Sequence, residues 1–197
     1  MEVIVRPATV VPPVTAVRGT LLVSSLAALR KAELFDRYSE FLANEVRHDV
    51  LFAVATTWVP VGCAWEHYRA CDKLGLSSKE VVSLGEHVGS RIQGPFMQAL
   101  FRTARHLGVT QWALLGRADK LWGRLMQGGS VAVERLGESE AVVELLRLPL
   151  VEHQYFRQAF IGVINVGFQI IGVKKYAVRI DNVDYAAQRC RYHLTWV

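Results

Sequence analysis

Cys63, His67 and Cys71 recur at every fourth residue, so on a helix they project from one face. Thiols and imidazole are the groups that ligate a transition metal or act as nucleophile and base, which makes this the chemically richest cluster in the chain. The spacing limits it. At 1.5 Å of rise per residue the outer two stand about 12 Å apart along the axis, so one ion could take only an adjacent pair such as Cys63 with His67. No partner pair occurs at metal-site spacing, and Cys190 completes an odd set without CxxC. The expectation is therefore no metal site and no disulfide framework, but small buried thiols beside a hydrogen-bonded histidine. His48, His87, His106, His153 and His193 stand singly. Of these, His87 and His106 fall on predicted helices and are the alternatives for haem ligation. No GxSxG elbow, Walker loop, GxGxxG turn or SxxK motif occurs, and Gly128-Gly129-Ser130 lacks the lysine and preceding strand of a phosphate cradle. Glu66, Glu86, Asp119 and Glu152 read as solvated helix positions. No catalytic residue is expected. Five tryptophans, with Tyr155, Phe156 and Phe160, supply a large apolar area with polar tips, suited to a core or a pocket. The pocket candidates are Cys63, His67, Cys71, Trp112, Trp122, Tyr155, Phe156 and Phe160.

These side chains need a scaffold, and the composition provides one. With 197 residues, 51% hydrophobic and 21% charged, the chain is outside the disordered and disulfide-scaffold classes. A chain of this mass buries about 70% of its extended surface. Residues 1–13, rich in proline, read as a flexible tail, and residues 14–197 as a single domain. The net charge of +5 is spread along the chain without basic runs, so no nucleic-acid partner is expected. The N-terminus lacks a signal peptide's pattern, and the longest uncharged apolar stretch, Phe160 to Val173, is too short to span a bilayer. With the cysteine usage, this implies a cytoplasmic protein.

Val14 to Ser24 is β-branched and partly alternating, which predicts a strand, with Ser24 or Ser25 capping the helix that follows. Helical periodicity then runs through Leu26, Leu29, Leu34, Tyr38 and Phe41, continuing over Val46 to Thr56. A helix is predicted from Gly62 to Gly75. Ser77 with Glu80 is a capping box opening the next helix, which Gly94-Pro95 should interrupt before it resumes to Leu107 and stops at Gly108. Thr110 should cap another helix, closed by Gly128-Gly129. A hairpin (Val131 to Leu136, turn at Gly137, Ala141 to Leu148) precedes an apolar helix, Tyr155 to Ile171. Lys175 to Ile180 and a last strand carrying Cys190, Tyr192, Leu194 and Trp196 on one face form a second hairpin, with turn chemistry at Asp181-Asn182 and Asp184. This order specifies an α+β fold, helices packed on a mainly antiparallel sheet of about four strands. A helix without a polar face in so small a domain also points to a homodimer, through Phe160, Ile164, Phe168 and Ile171.

Trp58-Val59-Pro60, Ala64 to Gly75, Gly89 to Gly94, Asp119 to Trp122 with Gly128-Gly129, and Tyr155-Phe156-Arg157 resemble an uncharacterised family of myxobacterial paralogues. The hairpin-helix-hairpin ending, with Cys190-Arg191-Tyr192, is similar to the 4-vinyl reductase-like domain and its relatives, the Golgi transport-particle subunits and haem-based nitric oxide sensors. The resemblance implies helices on a four-stranded antiparallel sheet, often dimeric, with a hydrophobic ligand pocket in some members. The reductase-like cysteines near the last hairpin and the haem sensors' Tyr-Ser-Arg motif are both missing here. The leading expectation is a non-enzymatic signalling or scaffold module acting through contacts with other proteins, with no resident cofactor and a pocket for a small hydrophobic ligand. The alternatives are a haem or metal sensor using Cys63 and His67, or His87 or His106, and an enzyme of tetrapyrrole or lipid metabolism using Glu66, His67 and Cys71.

Overall fold

Hairpin, helix and hairpin in the second half of the chain build the main sheet. The computed structural model describes residues 2–7, 9–106 and 110–197, with backbone alone over 93–106. β5 (Ser130–Gly137) and β6 (Glu140–Leu146) pair antiparallel through the predicted turn. β7 (Tyr176–Asp184) and β8 (Arg189–Trp196) form the second hairpin, and β6 pairs with β8 to join the two. In that register Leu145 lies opposite Cys190, Val143 opposite Tyr192 and Ala141 opposite Leu194, so one face of the sheet is a continuous apolar surface. The other face is wet and ionic, with Arg191 near Glu134 and Asp181, and His193 Nε2 donating to Glu140 Oε1 at 2.5 Å.

Two features of this sheet depart from expectation. β1 (Glu2–Val5), placed in a flexible tail by its prolines, pairs with β5 and makes the sheet five-stranded, in the order β1-β5-β6-β8-β7. The tail boundary at residue 13 therefore does not hold for these residues. β7 continues past Asp181-Asn182 with a bulge between Ile180 and Asn182, and the chain turns later, where the Asp184 carboxylate accepts from the Ala187 amide.

The first half is helical. β2 (Ala16–Arg18) is only three residues long, pairing with β3 (Trp58–Pro60) and β4 (Met126–Gln127) in a small second sheet. The predicted strand gives way to α1 (Gly19–Lys31), because Leu21, Leu22, Ser25, Leu26 and Leu29 are buried at helical spacing. Ser24 and Ser25, expected as caps, are interior to that helix. α2 (Phe35–Phe41) and α3 (Asn44–Leu51) follow, and α3 stops short of the predicted Thr56. α4 (Val61–Asp72) matches its prediction. α5 (Ser78–His106) opens on the capping box, with the Ser77 amide and hydroxyl both donating to Glu80 Oε2 at 2.8 and 2.6 Å. It runs through Gly94-Pro95 rather than breaking there, forgoing the one bond that the proline nitrogen lacks. The predicted stop at Leu107-Gly108 lies outside the described residues. α6 (Gln111–Leu115) and α7 (Ala118–Leu125) are short.

α8 (Gln154–Ile171) follows a 3₁₀ turn at Pro149–Glu152 and ends at Gly172, whose φ of 83° is the left-handed cap geometry. It lies on the apolar face of the sheet and crosses α5 at backbone contact. A Cβ on Gly162 would stand 2.2 Å from the Val82 carbonyl oxygen, and one on Gly85 2.0 Å from that of Ala159. The enclosure accounts for the helix's apolar circumference. Phe168 and Ile171 are core residues of this chain, and Phe160 and Ile164 pack beside them. The four residues offered as a dimer face are therefore turned to this chain's own interior, and the all-apolar helix no longer argues for a second copy. Among the described residues no helix is long and apolar enough to cross a membrane.

Candidate functional site

A cavity of about 190 Å³ lies between α8, α5 and the apolar sheet face, closed at one end by α6 and α7. Its described wall is hydrocarbon almost throughout. Val88 and Ile92 come from α5, Leu114 and Leu121 from α6 and α7, Phe160 and Ile164 from α8, and Val143 and Leu194 from the sheet. Trp122 lines it, its indole N–H donating to the Gly128 carbonyl at 2.9 Å. Among the described lining residues there is no histidine, cysteine, lysine, arginine or carboxylate.

One corner is polar. Ser25, Tyr68 and Tyr155 reach the cavity there, backed by a buried hydrogen-bond chain. The Tyr38 hydroxyl lies 2.7 Å from His67 Nδ1, and His67 Nε2 lies 2.9 Å from Ser25 Oγ, with the Cys71 thiol 3.8 Å from the same nitrogen. His67 and Tyr38 are wholly buried. Proton accounting sets the direction of the chain. Tyr38 meets only Nδ1 and must donate to it, since the opposite tautomer would strand its hydrogen in the core. Nε2 then carries the ring proton and donates to Ser25 Oγ, leaving the serine's own hydrogen for the cavity side, where Tyr155 stands. The Tyr155 hydroxyl is buried with Ser25 and Cys71 as its polar neighbours, and makes no hydrogen bond of full geometry to either. Burial holds every member uncharged: it lowers His67 to about 3 and raises the phenols of Tyr38, Tyr68 and Tyr155 and the thiol of Cys71.

Asp72, at the C-terminal end of α4, fixes this corner. One carboxylate oxygen accepts the Tyr155 amide at 2.6 Å, satisfying a free donor in the first turn of α8, and the other meets His153 Nδ1 at 2.9 Å. Nothing in the local sequence marks Asp72 for that task, because its partners lie 81 and 83 residues away.

Of the eight pocket candidates, Trp122, Tyr155, Phe156 and Phe160 line the cavity. His67 and Cys71 sit one layer behind it. Cys63 is buried elsewhere on α4, and Trp112 packs edge-on against Trp196 at 4.9 Å. The contributions of Ser25, Tyr68 and Leu194 were not foreseen, although Leu194 lies on the β8 face that the alternation had marked as packed. Both ring nitrogens of His67 are occupied, and no group of three metal-ligating side chains exists among the described residues. His87 faces another cleft, where it accepts from Lys31 at 2.7 Å and its Nδ1 meets the Ser83 carbonyl. The side chain of His106 lies outside the described residues.

No family model and no curated protein matches the chain. Solved structures do, at the level of fold. An Fe(II) unliganded H-NOX protein from K. algicida superposes with a TM-score of 0.62 at 9% identity, over 91% of this chain and 96% of that one. An oxygen-binding H-NOX domain related to soluble guanylate cyclases gives 0.57 at 10%, over 91% and 94%. A mutant of T. tengcongensis H-NOX gives 0.55 at 12%, over 91% and 97%. The fold is that of the H-NOX domains. The described cavity wall does not fit the haem that this fold family implies. It offers iron no imidazole or thiolate and carboxylates no cation, and its volume is below the roughly 300–1,000 Å³ of pockets for drug-sized ligands.

Proposed function

We propose that this chain is a non-enzymatic sensory module of H-NOX-like fold, which holds a small apolar molecule between α5, α8 and the sheet and reports its occupancy to protein partners. The observation that carries this reading is a cavity of about 190 Å³ with an almost wholly hydrocarbon wall. Dry cavities lined by leucine, isoleucine and phenylalanine take up guests such as benzene at about 150 Å³. The walls belong to α8 and to the helices packed on it, so a guest that braces them alters how the helical layer sits on the sheet. Catalysis has no support among the described lining residues: Ser25 is the hydroxyl beside an imidazole, but His67 Nε2 carries the ring proton and donates to it, so it is no base for the serine.

Haem is the second reading, favoured by a further similar structure, solved to probe haem distortion in the H-NOX family, with a TM-score of 0.56 at 12% identity over 91% of this chain and 94% of that one. It would have to use His106 as iron ligand, since His87 faces another cleft and His67 has no free nitrogen. One experiment separates the two. The untagged protein is purified from haem-replete cells, its absorbance and native mass are recorded, and isopropylbenzene is then titrated while tryptophan fluorescence, to which Trp122 in the wall contributes, is followed. The expected result is no Soret band and saturable binding of the hydrocarbon. A stoichiometric Soret band would replace the apolar-ligand reading with the haem one.

A further inference from the structure

We infer that the ligand is an uncharged molecule of roughly benzene size carrying one hydrogen-bond-accepting oxygen, such as a small ketone or ester, and that the Ser25-Tyr68-Tyr155 corner is where that oxygen binds. The inference deepens the apolar-ligand reading and rests on it. A hydrocarbon guest would need no polar corner, and burying hydroxyls without partners opposes folding. Tyr155 is such a group: its residue is 3% exposed, its hydroxyl makes no hydrogen bond of full geometry to its neighbours Ser25 and Cys71, and its position is fixed by Asp72 through the backbone amide. Beside it, the Tyr38-His67-Ser25 chain runs in the sense that leaves the serine hydrogen for the Tyr155 oxygen, so that the phenol's own hydrogen is the one turned to a guest. Tyr68 lines the cavity beside Tyr155, its ring centre 6.2 Å from that of Tyr155 and edge-on to Phe156 at 5.1 Å. The Ser25 oxygen already accepts from His67 and the Tyr155 oxygen faces the Ser25 hydrogen, so what the corner has left to offer is a donor, and the complementary feature of a guest is an acceptor.

Charge is the second selector. A carboxylate entering the corner would meet neutral hydroxyls, a neutral imidazole and a neutral thiol, with no cation among the described lining residues. An uncompensated charge in a dry site is costly, so a carbonyl is admitted where a carboxylate of the same size is refused.

The test uses three molecules of matched size, acetophenone, isopropylbenzene and benzoate, titrated into the wild-type chain and into Tyr155→Phe at pH 7. In wild type the ketone should bind about three- to tenfold more tightly than the hydrocarbon, the range of one net hydrogen bond, and benzoate at least about tenfold more weakly than the ketone. The carbonyl stretch of bound acetophenone should move to lower wavenumber, as expected of a carbonyl that accepts a hydrogen bond. In Tyr155→Phe the gap between ketone and hydrocarbon should close to less than about twofold, with the band returning toward its free position. Because the Tyr155 hydroxyl has no hydrogen bond of full geometry to lose, this variant should melt close to the wild-type temperature. Equal wild-type affinities for ketone and hydrocarbon would overturn the polar-corner inference and leave the apolar-ligand reading standing. Binding of neither overturns that reading as well. Tightest binding by benzoate, or a ketone preference that survives in both Tyr155→Phe and Tyr68→Phe/Tyr155→Phe, overturns the inference alone.

Discussion

At the scale of single residues, the i, i+4, i+8 pattern of Cys63, His67 and Cys71 proves to be packing with one buried polar link. The thiolate is the reactive form of cysteine, and burial raises the pKa of Cys63, Cys71 and Cys190 alike. None of the three thiols should therefore react with a water-soluble disulfide reagent at pH 7.5 faster than about one-hundredth of the rate of free cysteine, while all three should titrate in denaturant. A single fast thiol in the native protein would show that one of them is poised for chemistry. Much of this was legible, since a histidine among cysteines without a second ligand pair reads as a satisfied core group. What the sequence could not disclose is which hydroxyls satisfy it. Tyr38 and Ser25 are 29 and 42 residues from His67, and helix packing alone brings them to its two nitrogens.

At the scale of elements, the crossing of α5 and α8 sets the cavity's width, and glycine permits that crossing. An alanine at 162 would place its Cβ against the backbone of Val82 and Glu86, which has no rotamer with which to yield. Gly162→Ala should cost about 1–3 kcal/mol, a melting temperature lower by about 2–12 °C. Gly123→Ala on α7 meets nothing within 4 Å and should stabilise the chain by about 0.5–1 kcal/mol, through lost freedom in the unfolded state. Thermal melts of the two variants test the crossing, and a harmless Gly162→Ala would show that the helices are not in backbone contact. The elements themselves were largely visible in the sequence: the capping box of α5, the left-handed Gly172 after α8, and the alternation of β8. The errors have a common cause. Local signals at Val14 to Ser24, Gly94-Pro95 and Asp181-Asn182 were each outweighed by a longer-range pattern, namely a helical apolar face, a continuing helix and a bulged strand pairing.

At the scale of the whole molecule, burial of neutral titratable groups sets the pH range in which the fold is stable. The folded chain keeps His67 unprotonated down to about 3, whereas the unfolded chain takes up that proton near its ordinary value of 6.5. Below about 6.5 the unfolded state thus binds the extra proton, and stability falls with pH until about 3, where the native imidazole also titrates. At the alkaline end the sign reverses. Cys71, Tyr68, Tyr155 and Tyr192 stay neutral in the fold above pH 9–10, where the unfolded chain ionises them, so stability falls as pH rises. Glu80 and Asp184, whose carboxyls are lowered by their hydrogen bonds, add an acid loss confined to pH values near 4 and below. Between pH 6 and 5 the imidazole is therefore the group to watch, and urea midpoints of wild type and His67→Gln isolate it. Wild type should lose up to a factor of ten in its folding constant per pH unit from this residue. The variant, weaker at pH 7 by about 1–3 kcal/mol through the hydrogen bonds it disturbs, should lack that slope, so the two curves converge on acidification. Parallel curves would mean that His67 already carries a proton in the fold, and the polar corner would then hold a cation able to receive the carboxylate that its neutral form refuses.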